Sequence, residues 1–424
     1  MMIFMITAIA QILIAIVLIV LSTQLRTPSL ASIRDIILVF LLLGSSLLIL
    51  SGCLQLRQKN WNLQKGMAFA IAFLGVVGLT ITVANEAQFY WQKYRVVLGA
   101  EVESLEVFGK HFIVGYKDIN DAVKLVEKRA IAGVFITTRN IENKTYEEIK
   151  TELETLQEIR RSQGLSPLWI ATDQEGGIVS RLSPPLTYLP SLSEIVAKEK
   201  NIENIKKAVI EYASTQGREL SDLGINVNFA PVVDLNKGVV NQRDRYSQIY
   251  RRAISDDSKI VTLVAKWYCD TLEQFDVKCT IKHFPGLGRV ENDTHVTDAE
   301  LNASVEELER DDWIPFREIM KKSSAWTMLG HAKLMALDTQ YPVSFSPPVI
   351  RELIREKWQY RGILITDDLC MKAVYGSSEG INGAIKKALI SGVDLLLIAY
   401  DPDLYYEAMA SLLQGHRLQP TGTR

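Results

Sequence analysis

Three stretches without a single charged residue, Ile3–Ser22, Ile36–Gln55 and Met67–Asn85, fill most of the first 85 positions of this chain. A helix needs about 20 apolar residues to cross a hydrocarbon core about 30 Å thick. Helices can do so because each backbone polar group finds its partner within the segment. Each stretch meets that length, so residues 1–85 are expected to form a membrane anchor of about three transmembrane helices, with a lipid bilayer as partner. Buried helices of a soluble core are the alternative. Three such runs in succession, separated only by short charged turns, disfavour it. The first run does not read as a secretory leader, since it lacks a basic start and a small-residue cleavage site.

An odd number of spans puts the amino terminus and the bulk of the chain on opposite sides of the bilayer. Arg57, Lys59 and Lys65 in the second loop favour a cytoplasmic loop and an external large domain. Arg26 and Arg34 in the first loop, with Lys93 and Arg95 after the third span, oppose this. Phe89, Tyr90, Trp91 and Tyr94 fall where an interfacial aromatic belt is expected. Leu50-Ser51-Gly52-Cys53 resembles a bacterial lipoprotein processing site, but a further apolar run follows it, and lipidation of Cys53 stays open.

The 424 residues suffice for one large α/β barrel besides the anchor. With a net charge of −2 and no long basic run, nothing points to nucleic acid as a partner. Cys53, Cys269, Cys279 and Cys370 show neither Cys-x-x-Cys spacing nor Cys/His pairs with zinc geometry. They read as buried or incidental thiols. No metal or cofactor is expected, and no protein partner is legible.

From about Val107 onward, short β-branched runs alternate with longer amphipathic stretches, the pattern of parallel βαβ units. Candidate strands are His111–Tyr116, Gly133–Thr137, Leu168–Thr172, Asn226–Ala230, Lys278–Lys282, Ala325–Leu329, Gly362–Thr366 and Val393–Ile398. Helical stretches between them include Tyr146–Gln163, Ile202–Leu223, Lys259–Phe275, Val305–Lys322 and Ile381–Ser391. The expected fold class is therefore α/β, a (β/α)₈ TIM barrel over residues 108–424. An all-α membrane segment and a juxtamembrane linker at 86–107 precede it.

In such a barrel the reactive groups follow the carboxyl ends of the strands. Asp173, Lys282-His283, His331 and Asp367 all fall there. Asp367, delivered by the apolar run Ile363–Thr366, can attack an anomeric carbon, or one of the pair Asp367-Asp368 can simply cap the next helix. Asp293-Thr294-His295 lies in a polar loop where the carboxylate can orient the imidazole for proton transfer, or the histidine can be merely solvated. Lys282 and His283 are costly to bury unless they face a polar cavity. Pro285, Gly286 and Gly288 enforce a tight turn beyond them. Gly286-Leu287-Gly288 lacks the third glycine of a dinucleotide fingerprint.

Taken together, five motifs carry a resemblance to glycoside hydrolase family 3, specifically its single-barrel β-N-acetylglucosaminidases. They are Ala171-Thr172-Asp173-Gln174-Glu175-Gly176-Gly177, Asn228-Phe229-Ala230-Pro231-Val232-Val233-Asp234, Lys282-His283-Phe284-Pro285-Gly286, Asp293-Thr294-His295 and Thr366-Asp367-Asp368-Leu369. The resemblance implies a nucleophile at Asp367, an acid/base at His295 and its orienting partner at Asp293. It also implies that Asp173, Arg181, Arg245, Lys282 and His283 hold the sugar. Arg245 rests on Arg245-Tyr246-Ser247 standing for the family's Arg-Ser-Phe. Leu287 replaces a common histidine, Ile178 replaces a frequent arginine, and the end from Ser411 looks short of the family's last helix.

The expected reaction is a retaining hydrolysis of terminal β-linked N-acetylglucosamine through a glycosyl-enzyme intermediate, with a muropeptide or related glycan as substrate. A phosphorylase of the same family, a β-glycosidase of other sugar specificity and a non-catalytic membrane-tethered glycan receptor are the alternatives.

Overall fold

The computed structural model describes residues 2–57, 62–241, 244–377 and 379–417. Lys59 of the second loop and the last seven residues, 418–424, therefore lie outside the described residues. The chain divides into two compact units, Met1–Gly99 and Ala100–Arg424.

The first unit holds three helices, α1 (Met2–Gln24), α2 (Arg34–Leu56) and α3 (Asn62–Tyr90), each containing a stretch long and apolar enough to cross a membrane. In α2 the buried positions Arg34, Leu41, Ser45, Leu48 and Gly52 follow steps of seven, four, three and four, the seam of helices packed side by side. Leu43, Leu47, Leu50, Phe69 and Phe73 stay exposed on the outside. An apolar surface of this kind suits lipid rather than water. A Cβ on Gly52 would stand 2.6 Å from the Ala68 carbonyl oxygen, so only glycine permits this approach of α2 to α3. Interhelical hydrogen bonds, Ser22 Oγ to Thr82 Oγ1 at 2.9 Å and Asn85 Nδ2 to the Ser22 carbonyl at 2.8 Å, tie α1 to α3.

One expectation for this unit changes. Arg34, read as a loop charge, is buried, and its Nε donates to the Leu25 carbonyl at 3.0 Å. Arg26 pairs with Glu86. Residues 86–107, expected as a linker, are largely helical: α3 runs to Tyr90, a π-helical turn covers Trp91–Val97, and a helix spans Val102–Gly109. The aromatic residues Phe89, Tyr90, Trp91 and Tyr94 therefore sit on helix. Cys53 lies within α2 on its exposed side.

The second unit is the eight-stranded parallel barrel expected from the alternation. Its strands are β1 (Phe112–Gly115), β2 (Gly133–Phe135), β3 (Trp169–Thr172), β4 (Val227–Asn228), β5 (Lys278–Phe284), β6 (Trp326–Leu329), β7 (Leu364–Thr366) and β8 (Leu396–Ile398). Consecutive strands pair in parallel from β1 to β7, and β8 pairs back onto β1. A parallel bridge between Ile365 and Leu395 brings β7 against the start of the last strand and nearly closes the ring. Aromatic rings from non-adjacent strands meet in the interior: Trp169 edges Trp326 at 4.9 Å, and Phe135 stacks on Phe229 at 5.8 Å. The barrel is thus a filled core, and ligands are left to its mouth.

The expected helix Val305–Lys322 is broken into Val305–Arg310 and Trp313–Lys322. The break follows from charge. Asp311 pairs with Lys237 and Arg289, and Asp312 receives Arg289 Nε at 2.8 Å. Restarting there lets Trp313 Nε1 donate to the Pro285 carbonyl at 3.0 Å, which holds the turn after β5. The reading of all four cysteines as thiols is also corrected. Cys269, on the helix Ser258–Glu273, is disulfide-bonded to Cys279 on β5, with Cα atoms 5.3 Å apart. The helix-to-strand return packs the two side chains together, a proximity that spacing in the sequence does not reveal.

Candidate active site

The carboxyl ends of the strands carry the polar residues. Asp173 follows β3 directly, and a short hairpin, Gln174–Gly176 with Val179–Ser180, turns the chain back so that the Arg181 amide donates to the Asp173 carbonyl at 3.2 Å. Gly176 makes this turn with φ of +90°, and a Cβ there would collide with the Tyr212 hydroxyl at 2.0 Å. Asn228, at the end of β4, clamps the hairpin: its Oδ1 accepts from the Gln174 amide and its Nδ2 donates to the Gln174 carbonyl, both at 2.9 Å.

Neighbouring residues on a strand normally face opposite sides. Lys282 and His283 nevertheless share one charged cluster, because the register of β5 against β6 shifts between Ile281 and Phe284. Lys282 Nζ lies 2.6 Å from Asp173 Oδ1 and 2.6 Å from Glu175 Oε1. His283 Nδ1 donates to Asp234 Oδ2 at 2.7 Å, and Asp234 also accepts the His283 and Leu287 amides. The structure thus supplies the polar surroundings that two buried basic residues require. Beyond them, Gly286 takes φ of +102°, and Gly288 passes so close to the Leu235 carbonyl that a Cβ would stand 1.8 Å from its oxygen. Leu287, in place of the family's histidine, packs with Ile249, Ala253, Ala299 and Ala332.

Arg252 was not singled out from the sequence, yet it completes this cluster. Its Nε and Nη2 grip both oxygens of Glu175 at 2.9 and 2.6 Å, and Nη2 lies 3.4 Å from His283 Nε2. Burial would raise the Glu175 carboxyl, but Arg252 and Lys282 hold it well below the usual carboxylate range. Arg245 is not brought into the cluster. It is exposed, and among the described residues its guanidinium makes no ion pair. Arg181 is exposed as well, tied to Asp173 through the main chain. Ile178 is 42% exposed, on the hairpin.

Asp367 leaves β7 with its amide donating to the Leu329 carbonyl and one carboxylate oxygen accepting from the Asp368 amide at 2.8 Å. Burial alone would push its carboxyl up. Its interactions with the surrounding histidines, His283 first, and the Asp368 amide outweigh this and hold it below its ordinary value, so it is an anion at neutral pH. His331 is buried between the Ser344 hydroxyl at 2.7 Å from Nδ1 and the Asp368 carbonyl at 3.0 Å from Nε2. These partners suit a neutral ring with its proton on Nε2, and burial lowers its pKa. Asp368 does not cap the next helix. Its oxygens accept the amides of Cys370, Ala399 and Tyr400 and so tie the ends of β7 and β8 together.

The loop after β5 delivers the last pair. His295 Nδ1 and its own amide both donate to Asp293 Oδ1, at 2.7 and 2.9 Å. Burial opposes ionisation of Asp293, but the His295 hydrogen bond and charge hold its carboxyl well below the usual range. Segments after β4 and β7 brace this loop. The Tyr246 amide donates to Asp293 Oδ2 at 3.2 Å, the Ser247 hydroxyl to Asp293 Oδ1 at 3.1 Å, and the Lys372 amide to the His295 carbonyl at 3.2 Å. The structure therefore brings Asp173, Lys282, His283, Asp367, Asp293 and His295 to one barrel mouth, and adds Glu175, Asp234, Arg252 and His331. Among the described residues the hydrogen bonds of the His295 ring are made through Nδ1. Among the described residues no group of three or more histidine, cysteine or carboxylate side chains is arranged to hold a metal ion.

Known proteins share the sequence family and the fold of the barrel unit. A model described as "Glycosyl hydrolase family 3 N terminal domain" matches residues 98–420. A beta-hexosaminidase of Xylella fastidiosa (strain M23) is 31% identical over 291 residues, 68% of this chain and 82% of that relative. Among solved structures, a glycoside hydrolase family 3 beta-N-acetylglucosaminidase from Paenibacillus sp. str. FPU-7 is similar with a TM-score of 0.66 and 28% identity. That match covers 75% of this chain and 59% of the longer Paenibacillus chain. Native NagZ from Neisseria gonorrhoeae is similar with a TM-score of 0.62 and 26% identity, covering 72% of this chain and 89% of that one.

Proposed function

This chain belongs to glycosyl hydrolase family 3 and is a glycoside hydrolase resembling the β-N-acetylglucosaminidases, and on that premise we propose that it releases terminal β-linked N-acetylglucosamine with retained configuration. The observation that carries the proposal is the Asp293–His295 pair, braced over the mouth in which Asp367 is held ionised. In the first step Asp367 attacks the anomeric carbon while protonated His295 gives its proton to the departing glycosidic oxygen. In the second, neutral His295 takes a proton from water, which displaces Asp367. Asp293 keeps the imidazole oriented and stabilises its charged form. Asp173, Lys282 and His283 hold the sugar hydroxyls, Arg252 and Glu175 keep Lys282 in place, and Arg181 and Arg245 act from the rim.

The natural substrate in this reading is a muropeptide or related cell-wall glycan. The three apolar helices of residues 1–85 anchor the enzyme in a bilayer, with the barrel on the external face. Two observations support that side: the charges Arg57 and Lys65 in the second loop, and the Cys269–Cys279 disulfide, a bond that persists in oxidising compartments.

The test is hydrolysis of a chromogenic N-acetyl-β-glucosaminide by the full chain in detergent, with the anomer of the first product read by NMR. Release of the β-anomer is expected. Cleavage of a β-glucoside in preference, or an α-anomer as first product, overturns the assignment. An alkaline phosphatase fusion to the barrel is expected to be active, and an inactive fusion alongside a fluorescent cytoplasmic reporter overturns the external placement.

A further inference from the structure

One exposed aromatic side chain at the mouth is unaccounted for by the two-step reaction. Tyr246 is 59% exposed, yet its backbone is tied down. Its ring lies 5.5 Å from the His295 imidazole at a tilt of 37°, and its amide is bound to Asp293. The next residue, Ser247, is anchored twice: its hydroxyl donates to Asp293, and its carbonyl accepts Arg252 Nη1 at 2.7 Å. An isolated exposed tyrosine needs no explanation. A tyrosine whose backbone is tied to Asp293 and whose ring packs beside the His295 imidazole is a different matter.

We infer that Tyr246 is the stacking platform for the leaving group, favouring glycosides whose aglycone is itself a sugar ring. The inference rests on the reading of His295 as the acid/base. Nδ1 of His295 is taken by Asp293, so Nε2 is the atom that meets the glycosidic oxygen. The group bonded to that oxygen then lies beside His295, next to the Tyr246 ring whose centroid is 5.5 Å from the imidazole. The C–H face of a pyranose is apolar and packs on an aromatic ring, whose electron-rich face attracts it. The burial that results is available to a sugar leaving group and largely absent for a methoxy group. Because the platform is bound to Asp293 through its backbone, it stays in register with the proton donor.

The experiment compares the full chain and its Tyr246→Ala and Tyr246→Phe variants on two substrates, the β-1,4-linked disaccharide of N-acetylglucosamine and methyl N-acetyl-β-glucosaminide. Tyr246→Ala is expected to lower the disaccharide-to-methyl ratio of kcat/KM on the order of tenfold, chiefly through KM for the disaccharide. Tyr246→Phe is expected to keep the ratio, and both variants to keep the shape of the pH profile. An unchanged ratio in Tyr246→Ala overturns the platform and leaves Tyr246 as a prop for the loop. Failure of the unmodified enzyme to cleave either substrate overturns instead the functional reading on which the inference rests.

Discussion

Arg252 and Glu175 form a two-point ion pair, Nε to Oε2 at 2.9 Å and Nη2 to Oε1 at 2.6 Å, with both side chains almost wholly buried. Removing Arg252 leaves the buried Glu175 carboxylate with Lys282 as its one remaining cation among the described residues and leaves Oε2 without its donor. Arg252→Ala is therefore expected to destabilise the barrel by about 3–5 kcal/mol, measured by urea unfolding followed through tryptophan fluorescence. Arg252→Lys restores the charge without the planar fork and recovers only part of this. A cost below about 1 kcal/mol for Arg252→Ala, the range of surface pairs, would show that the pair does not hold the cluster together.

Asp367→Ala removes the attacking carboxylate from the end of β7 and is expected to lower kcat on the order of 10⁴-fold or more. His295→Ala is expected to lower it on the order of 10²–10⁴-fold and to flatten the basic limb of the pH–rate profile. Chromogenic assays across pH distinguish the two roles. Retention of that basic limb in His295→Ala would assign the proton transfer elsewhere.

His331 gives stability a pH dependence whose sign can be worked out. Burial lowers its pKa in the folded state, so between that value and the unfolded value of about 6.5 the unfolded chain binds more protons. Its contribution is complete above the unfolded value and is lost as pH falls through the folded one. Glu175, Asp293 and Asp367, all held low in the fold, add a second loss below their unfolded values near pH 4. Melting temperatures measured from pH 7 to 3 are expected to fall in these two phases. His331→Gln, which does not titrate, is expected to flatten the first. A first phase that persists in that variant would place it on another group.

The Cys269–Cys279 bond closes a short loop between a helix and β5, with a sequence separation of 10. Its loss through Cys269→Ala with Cys279→Ala is expected to cost about 2–4 kcal/mol. Protein isolated from membranes without reductant is expected to show both cysteines protected from alkylation. Full labelling of both before reduction would mean the bond does not form in the cell.

Repetition along the chain determined most of the architecture. Apolar runs of about 20 residues specified three membrane-length helices, and all eight expected strands overlap the strands of the barrel, because burial on both faces writes itself locally as short β-branched runs. The same pattern placed Asp173, Lys282, His283 and Asp367 at strand ends, since a strand entering a polar mouth must change composition there. Side-chain partnerships were decided only by the tertiary structure. Arg245 and Arg252 are equally charged and seven positions apart, and nothing local says which one turns inward. The choice depends on Glu175, which lies 77 residues from Arg252 and reaches it only once the hairpin after β3 and the loop after β4 converge. The same holds for Cys269 and Cys279, for Asp368 on the amides of Ala399 and Tyr400, and for Tyr246 against His295. Periodicity is set by neighbours in the chain, whereas pairing of buried charges is set by which loops the closed barrel brings together.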